Sequence, residues 1–236
     1  MSQFCGNFES SFGKIITGDC VQVMPELPDK CVDYAFTSPP YNREKNDKYE
    51  YFRDVNPDYH KLLTDSITEL LRITRKHVFF NVQATYYNKD VVYKIIGDWA
   101  EKIQQLIIWE KTNPQPSSNN SVTNSYEFFI VLGDTPVKGK YSYTRNIVTT
   151  GVNSMFFSEK HKAVMNYDVA EWVFDCFIPD GSTVIDPFMG FGTTAIVAEK
   201  HGCPWVGIKI RPEYVAMAEA RIQKESGSRN LKFDFA

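Results

Sequence analysis

Short apolar segments of strand-like composition alternate along this chain with longer segments of helical periodicity. Residues Tyr59–Thr74 carry apolar side chains three and four positions apart, which is the pattern of an amphipathic helix. The segments on either side, Val32–Thr37 and Val78–Asn81, are short and rich in apolar residues. Strands that alternate with helices usually pair in parallel and are covered on both faces. The sequence therefore predicts an α/β fold with a doubly wound, mainly parallel sheet.

The alternation continues through the rest of the chain. Further strands are predicted at Lys14–Thr17, Gln105–Glu110, Glu127–Leu132, Thr183–Ile185 and Trp205–Ile208. Further helices are predicted at Val91–Ile103, Val169–Phe177, Thr193–His201 and Glu213–Lys224. Two polar segments, Tyr41–Pro57 and Thr112–Ser125, are predicted to be long loops, and such loops are often functional. The segment Leu231–Phe235 is either an edge strand or a frayed tail.

The composition is that of an ordinary globular chain, and residues 1–236 are predicted to form one domain. Hydrophobic residues make up 43 % and charged residues 23 %, which excludes a mainly disordered, collagen-like or coiled-coil protein. No apolar run approaches the roughly 20 residues of a membrane span, and the N-terminus lacks a signal pattern. The five cysteines form no CxxC pair, so we expect neither a metal site nor disulfides, and a cytoplasmic location.

The net charge of −3 argues against a protein that coats nucleic acid through its total charge. One region is nevertheless locally basic, with a single acidic residue, Glu159, among five cations. These cations are Lys138, Lys140, Arg145, Lys160 and Lys162. The cluster either contacts phosphates or forms a solvated rim.

A glycine-rich turn follows the predicted strand Thr183–Ile185. It reads Asp-Pro-Phe-Met-Gly-Phe-Gly-Thr-Thr from Asp186 to Thr194. Two glycines two positions apart let the backbone approach a ligand closely, and the N–H groups at the start of the following helix attract an anion. A purely structural turn explains the glycines alone about equally well. Ordinary packing gives no reason to add an aspartate at the end of the strand, so the whole string predicts a ligand-binding turn.

The predicted strand Val32–Thr37 runs directly into the sequence Ser-Pro-Pro-Tyr-Asn, residues 38–42. The two prolines fix φ and remove N–H donors, so the neighbouring carbonyls are held rigidly. A hydroxyl and fixed carbonyls can accept hydrogen bonds from an exocyclic amino group, and a tyrosine offers a flat face for a base. The alternative interpretation is a proline-stiffened turn with Tyr41 in the core.

Together these strings resemble the amino-group DNA methyltransferases, which use S-adenosylmethionine. The resemblance covers nearly the whole chain, from Ile15–Asn42 through the strands around Ile107–Glu127 to the turn Asp186–Thr194. The Ser38 loop precedes the glycine-rich turn, and this order resembles the circularly permuted β subgroup. The resemblance implies a Rossmann-like methyltransferase fold.

The implied activity is methyl transfer from S-adenosylmethionine to an exocyclic amino nitrogen of a base flipped out of double-stranded DNA. Cytosine N4 is favoured over adenine N6, because serine at the first position of the loop is more often associated with cytosine in this family. The resemblance implies neither a metal nor a membrane partner, and the small size suggests a short DNA site or a homodimer. The loop residues with implied catalytic roles are Ser38, Pro39, Pro40 and Tyr41.

The resemblance also assigns the cofactor-binding residues. Those near the methionine end are Asp186, Phe188, Gly190, Gly192 and Thr193. Asp19 and Cys20 are placed near the adenine ring, and His161 and Lys162 lie in a segment that closes over the cofactor. Lys209 stands where the family usually has an acidic residue that accepts the ribose hydroxyls. Since lysine has no acceptor, weak cofactor binding is expected.

The candidate DNA-binding residues lie near the loop and in the two polar segments 112–125 and 138–162, which could act as small recognition elements. They are Asn42, Arg43, Asn113, Lys138, Lys140 and Arg145. Side-chain amides pair well with adenine edges, but they are also common turn formers.

Three other functions are compatible with parts of the sequence. A dinucleotide oxidoreductase would need GxGxxG and an acidic residue about 20 positions on, where this chain has Ala195 and Lys209. A non-catalytic DNA-binding relative would explain Lys209. An RNA or protein methyltransferase is also compatible, since a fold does not fix its substrate.

Overall fold

A single eight-stranded sheet forms the centre of the computed structural model, which describes residues 12–42, 55–114, 116, 122–152 and 165–227. The strands are β1 (Gly13–Thr17), β2 (Val32–Thr37), β3 (Thr74–Val82), β4 (Ile103–Lys111), β5 (Tyr126–Gly133), β6 (Ile147–Thr150), β7 (Val184–Asp186) and β8 (Trp205–Lys209). They are arranged in the order β1-β8-β7-β2-β3-β5-β4-β6. Of these strands, β5 runs antiparallel to its neighbours β3 and β4, and every other pair is parallel.

Helices cover both faces of the sheet. They are α1 (Cys20–Val23), α2 (Tyr59–Ile73), α3 (Lys89–Asp98), α4 (Tyr167–Phe177), α5 (Thr193–Lys200) and α6 (Pro212–Gly227). Residues of α1, α2 and α3 share one apolar core with the sheet. Residues of α4, α5 and α6 share the other. The predicted doubly wound, mainly parallel α/β sheet is confirmed.

The central strands are apolar along their whole length because both of their faces are buried. Phe36 of β2 and Phe79 of β3 point into the core beneath α4, whereas Ala35 and Phe80 point into the core beneath α2. Each of these phenylalanines is fully buried. Truncating such a side chain to alanine typically costs about 3–5 kcal/mol, so these two strands anchor the fold.

Two differences from the predicted elements have local causes. The helix predicted at Val91–Ile103 ends at Asp98, directly after Gly97, and a single 3-10 turn at Ala100–Lys102 leads into β4. Glycine and aspartate are poor helix formers, which explains the early end. The four-residue elements α1 and β6 were not predicted, since four residues show no periodicity. The uncertain segment Leu231–Phe235 lies outside the described residues.

The carboxyl ends of the parallel strands lie along one edge of the sheet, here called the carboxyl edge. Ser38 follows β2 at this edge and Asp186 ends β7, and the two strands are paired through Tyr34–Val184 and Ala35–Ile185. Ligands of open α/β sheets bind outside the carboxyl ends of the strands. The two predicted functional segments are therefore neighbours in space. That their order in the chain arose by circular permutation stays a prediction.

Candidate active site

Asp186 joins the Ser38 loop to the glycine-rich turn. Its Oδ1 accepts a hydrogen bond of 2.6 Å from the hydroxyl of Thr37 and one of 3.0 Å from the backbone N–H of Phe188. Its Oδ2 accepts a hydrogen bond of 2.5 Å from the hydroxyl of Thr194. Burial raises the pKa of Asp186 to about 6, although these hydrogen bonds favour the ionised form. The carboxyl group therefore connects β2, the turn and the start of α5.

One pocket opens at this junction, and both predicted segments contribute to its wall. It is lined by Phe36, Ser38, Met165, Asp186, Phe188, Met189, Gly190, Phe191, Thr193 and Thr194. The wall combines aromatic and methionine side chains with the first turn of α5, whose N–H groups have no partner within the helix. The pocket thus offers an apolar surface beside an anion-binding helix start.

The two glycines of the turn have different roles. Gly190 lines the pocket at φ +48°, and the nearest atom to a Cβ placed there is the Phe188 carbonyl oxygen at 3.9 Å. A Cβ on Gly192, at φ +81°, would lie 2.9 Å from Ile222 Cδ1 of α6 and outside the pocket lining. Gly190 therefore provides the open wall that a ligand can approach, whereas Gly192 permits the close packing of α6.

These features fit the methionine end of S-adenosylmethionine. A side chain at Gly190 would project from the pocket wall, and the helix start beside it suits a carboxylate. The hydroxyl of Thr193 is engaged on the protein side, where it donates to the Met165 carbonyl at 3.3 Å and accepts from Arg221 Nη1 at 3.3 Å. The position of Thr193 is thereby fixed at the pocket wall.

Lys209, at the carboxyl end of β8, folds over the same turn. Its ammonium group donates to the Gly190 carbonyl and lies 5.4 Å from the centre of the Phe191 ring. Burial lowers the pKa of Lys209 to about 8, and the charge of Asp186 partly opposes this effect. The amine therefore contacts the wall of the pocket. This contact is a second reason, besides the missing acceptor, to expect that Lys209 affects cofactor binding.

Asp19 and Cys20 follow β1, which is paired with β8 at this edge. The N–H of Gly18 donates to the Lys209 carbonyl at 2.9 Å, so Asp19 lies close to the end of β8. Asp19 caps α1, with Oδ1 accepting from the N–H of Val21 at 3.1 Å. Cys20 is buried in the core beneath α1, and burial raises the pKa of its thiol to about 12. The structure does not bring Cys20 to the pocket lining described above.

The Ser-Pro-Pro-Tyr loop is fixed from two sides. Pro39 is buried, and the Pro40 carbonyl accepts a hydrogen bond of 2.8 Å from the hydroxyl of Tyr59 at the start of α2. Tyr41 is half-buried, and its hydroxyl contacts polar side chains. The alternative interpretation, with Tyr41 packed in the core, is therefore wrong.

A polar cluster of five side chains surrounds the loop. It consists of Ser38, Tyr41, Asn81, Lys111 and Glu127. Ser38 donates to Asn81 Oδ1 at 3.0 Å, and the Tyr41 oxygen lies 2.6 Å from Asn81 Oδ1 and 2.7 Å from Glu127 Oε2. Lys111 donates to Glu127 Oε1 at 2.6 Å. The cluster links the loop to the ends of β3 and β4 and to the start of β5.

Sequence reasoning missed several residues of this site. Thr37, Asn81, Lys111 and Glu127 were not among its candidates, and Thr194 was predicted only as part of the glycine-rich turn. A usable signal existed for two of them, because Asn81 ends the run Val-Phe-Phe-Asn and Glu127 interrupts the run Tyr-Glu-Phe-Phe-Ile. A polar residue within an otherwise buried strand needs a polar partner, and that requirement marks a site.

The asparagines predicted to contact DNA hold loops together. Asn42 has φ +53°, and its Oδ1 accepts a hydrogen bond of 2.6 Å from the N–H of Asn56. Asn113 Oδ1 accepts a hydrogen bond of 2.5 Å from the N–H of Val152. Both residues lie near the carboxyl edge, so contact with DNA stays a prediction. Three other predicted residues, Arg43, His161 and Lys162, lie outside the described residues.

The members of the predicted basic cluster that the structure describes, Lys138, Lys140 and Arg145, lie away from the pocket. Lys140 Nζ lies 3.2 Å from Asp180 Oδ1, and its N–H donates to the Cys176 carbonyl at the end of α4. This position precedes β7, at the edge of the sheet opposite to the pocket. Lys138 lies two residues earlier in the same loop, and Arg145 is exposed just before β6. The chain direction thus carries Lys140 to the far edge, which disfavours the predicted contact with DNA.

In the part of the chain that the structure describes, every helix is too short or too polar to span a membrane. Among the His, Cys, Asp and Glu residues that the structure describes, there is no group of three or more that could hold a metal ion.

Known proteins that are similar to this chain in sequence or in fold are methyltransferases. The chain is 30 % identical over 205 residues to the type II methyltransferase M.MwoI of Methanothermobacter wolfeii, a match that covers 80 % of this chain and 30 % of that protein. This chain thus spans less than a third of that relative's length. The fold is similar to that of the cytosine-N4-specific PvuII DNA methyltransferase, with a TM-score of 0.71, 19 % identity and coverage of 93 % of this chain and 92 % of that one.

A second solved structure, the M1.HpyAVI complex with S-adenosylmethionine, has a TM-score of 0.66 and 19 % identity, with coverage of 89 % of this chain and 98 % of that one. The sequence model of the DNA methylase family matches residues 32–220, which include both the Ser38 loop and the glycine-rich turn. The chain therefore belongs to the DNA methylase family of N6 and N4 amino-methyltransferases.

Proposed function

We propose that this protein transfers a methyl group from S-adenosylmethionine to an exocyclic amino nitrogen of a base in double-stranded DNA. The observation that carries the proposal is that Ser38 and the glycine-rich turn line one pocket, with Asp186 bonded to both segments. A methyl donor held by the turn would lie beside an amine held by the loop. Membership of the DNA methylase family supports the same reaction.

The residues of the loop act by positioning the amine. S-adenosylmethionine, when bound, supplies an electrophilic methyl group on a sulfonium. An exocyclic amine is a poor nucleophile because its lone pair is conjugated with the ring. The Ser38 oxygen and the Pro39 carbonyl would each accept one N–H, which favours a tetrahedral nitrogen with its lone pair directed at the methyl group. The prolines and the Tyr59 bond to Pro40 keep these acceptors in place without reorganisation.

A base inside a duplex cannot reach this pocket, so the proposal includes base flipping. Tyr41 would stack on the extruded base, and its tethered hydroxyl limits rotation of the ring. Cytosine N4 remains the favoured target because of Ser38, as the sequence predicted. The PvuII enzyme, a structural neighbour, is named as cytosine-N4-specific, which is compatible with that preference.

The test is methylation of mixed-sequence double-stranded DNA with deuterated methyl donor, followed by digestion and mass spectrometry of the nucleosides. We expect labelled N4-methylcytosine. Labelled N6-methyladenine would correct the base and keep the reaction class. Absence of label from DNA, when calorimetry shows that cofactor and DNA both bind, would contradict the proposal.

One observation favours a second function. Lys209 contacts the Gly190 carbonyl in the wall of the pocket and provides no acceptor for ribose hydroxyls. The chain would then be a DNA-binding relative with weak or no cofactor binding. Calorimetric titration with S-adenosylmethionine separates the two functions, because only the enzyme requires saturable binding.

A further inference from the structure

The polar cluster around Tyr41 contains a buried carboxylate that the proposed reaction has not yet used. Glu127 is 6 % exposed and lies at the start of β5. One of its oxygens accepts from Lys111, whose side chain is 10 % exposed and lies 5.1 Å from the centre of the Trp109 ring. The other oxygen faces the Tyr41 hydroxyl at 2.7 Å. Lysine and glutamate side chains are almost never buried unless they are paired, so the position of this pair needs a functional or structural reason.

The hydroxyl protons of the cluster have more acceptors within reach than they can serve. The Tyr41 oxygen lies 2.6 Å from Asn81 Oδ1, 2.7 Å from Glu127 Oε2 and 3.3 Å from Ser38 Oγ. Ser38 Oγ also lies 3.0 Å from Asn81 Oδ1. Each hydroxyl carries one proton, and an ionised carboxylate carries none. Short oxygen–oxygen contacts without a proton between them are unfavourable, so the cluster has a place for one more proton.

The proposed reaction releases such a proton. The amine nitrogen forms a bond to the methyl carbon while the carbon–sulfur bond breaks and its electron pair stays on sulfur. The methylated nitrogen then carries a positive charge and must lose one N–H proton. Ser38 is the residue proposed to accept that N–H, and its hydroxyl lies between the pocket and Tyr41.

We infer that Glu127 is the final acceptor of this proton, which reaches it through the hydroxyls of Ser38 and Tyr41. The nitrogen gives its proton to Ser38 Oγ, Ser38 gives its own proton to the Tyr41 oxygen, and Tyr41 gives its proton to Glu127 Oε2. Both hydroxyls end neutral, the product base is neutral, and Glu127 is protonated beside Lys111. After product release the proton returns to solvent along the same path. This inference rests on the proposed methyl transfer.

Substitution by glutamine distinguishes a relay from simple positioning. In Glu127→Gln the amide oxygen can still accept from Lys111 while the amide N–H donates to the Tyr41 oxygen, so the loop keeps its anchor, but the amide does not take up a proton. A positioning role predicts a nearly normal rate for this variant. The relay predicts a single-turnover methyl-transfer rate about 100-fold lower, within the usual range for lost general-base assistance. Cofactor affinity, DNA affinity and melting temperature report separately on binding and folding.

Two further variants complete the design. Tyr41→Phe keeps the aromatic face and removes the relaying oxygen, so the rate should fall by a similar factor. The double variant should be no slower than either single variant, since both break one path. The control is Glu110→Gln, an exposed carboxylate on β4 that accepts from Thr149 at 2.8 Å, and it should retain the parent rate.

Chemical rescue gives a matched comparison that does not depend on the fold of one variant. Glu127→Ala leaves a cavity beside Lys111, and formate should restore much of the rate there, whereas isosteric formamide should not.

Three results would overturn the relay and leave the proposed function standing. They are equal rescue by both compounds, a parent-like rate in Glu127→Gln, and a parent-like rate in Tyr41→Phe. If Glu127→Gln does not fold, Tyr41→Phe decides. A parent protein that binds cofactor and DNA without methylating DNA would overturn the proposed function, and the relay with it.

Discussion

Asp186 and Thr37 lie on the neighbouring strands β7 and β2, and a buried hydrogen bond of 2.6 Å joins the carboxylate to the threonine hydroxyl. Thr37 directly precedes Ser38, and Asp186 directly precedes the turn that contains Gly190. This side-chain contact adds to the backbone pairing of β2 with β7 and helps to hold the two sides of the pocket at a fixed distance. Methyl transfer requires such fixed geometry, since small misplacements of the reacting atoms reduce the rate strongly.

The raised pKa of Asp186 predicts a specific pH dependence of stability. In the unfolded chain an aspartate ionises near pH 3.9, whereas burial raises the pKa of Asp186 to about 6 in the folded protein. Between these values the folded protein binds more protons than the unfolded chain, so the free energy of unfolding falls as pH rises from about 4 to about 6. The loss is on the order of 3 kcal/mol.

Urea unfolding of the parent and of Asp186→Asn at a series of pH values measures this loss. The variant has no group to ionise at this position. The difference in the free energy of unfolding between the parent and the variant should therefore change from about pH 4 to about pH 6 and become constant above that interval. A difference that does not depend on pH would contradict the raised pKa of Asp186.

Gly190 should be the glycine that controls cofactor access. Gly190→Ala places a methyl group on the open wall of the pocket and should weaken S-adenosylmethionine binding at least about 10-fold, because a bound ligand must then move away from the wall. Its left-handed backbone adds a stability cost of about 1–2 kcal/mol. The control is Gly202→Ala, which has φ +62°, no atom within 4 Å of the added Cβ and a position away from the pocket lining. Calorimetry should show weakened binding only in Gly190→Ala.

Lys209→Glu tests the departure from the family pattern. The substitution would provide an acceptor for ribose hydroxyls, and hydrogen bonds to charged groups are worth about 1.5–3 kcal/mol, which corresponds to about 10- to 100-fold in affinity. We expect tighter cofactor binding by a factor in that range. Lys209→Met removes the ammonium group without adding an acceptor and separates this effect from loss of the contact to Gly190. Equal affinity for the glutamate and methionine variants would show that another group already serves the ribose.

The positions of two lysines predict that only one of them contributes to DNA binding. Lys89 is exposed at the start of α3, beside the carboxyl edge, and its ammonium lies 5.8 Å from the centre of the Tyr86 ring. Lys140 lies at the far edge with Asp180. Lys89→Ala should reduce the slope of log affinity against log salt by about one, because one phosphate contact is lost. Lys140→Ala should leave the slope unchanged. Equal slopes for both variants would contradict a DNA surface at the carboxyl edge.

Much of the fold was predictable because its elements are long enough to show a period. The helix at Tyr59 and the buried strands at Val32 and Val78 were placed nearly correctly, and the neighbouring positions of Ser38 and Asp186 follow from parallel pairing. The polar partners were not predictable in the same way. Glu127 meets Tyr41 only because β5 runs antiparallel to β3, and Lys140 is carried to the far edge by the same reversal. Pairing direction depends on contacts between distant parts of the chain, which local patterns do not contain.

The most direct test of the account is the effect of Ser38→Ala on methyl transfer and on DNA affinity, measured with the same protein preparations. In the proposed reaction the Ser38 oxygen contacts the reacting amine. Loss of this oxygen should therefore reduce the single-turnover rate of methyl transfer at least about 100-fold, while cofactor and DNA dissociation constants stay within about threefold of the parent values. Ser66→Ala provides a folding control, since Ser66 is buried in α2 away from the pocket lining and donates to the Leu62 carbonyl. A Ser38→Ala variant that methylates DNA at the parent rate would contradict the central claim.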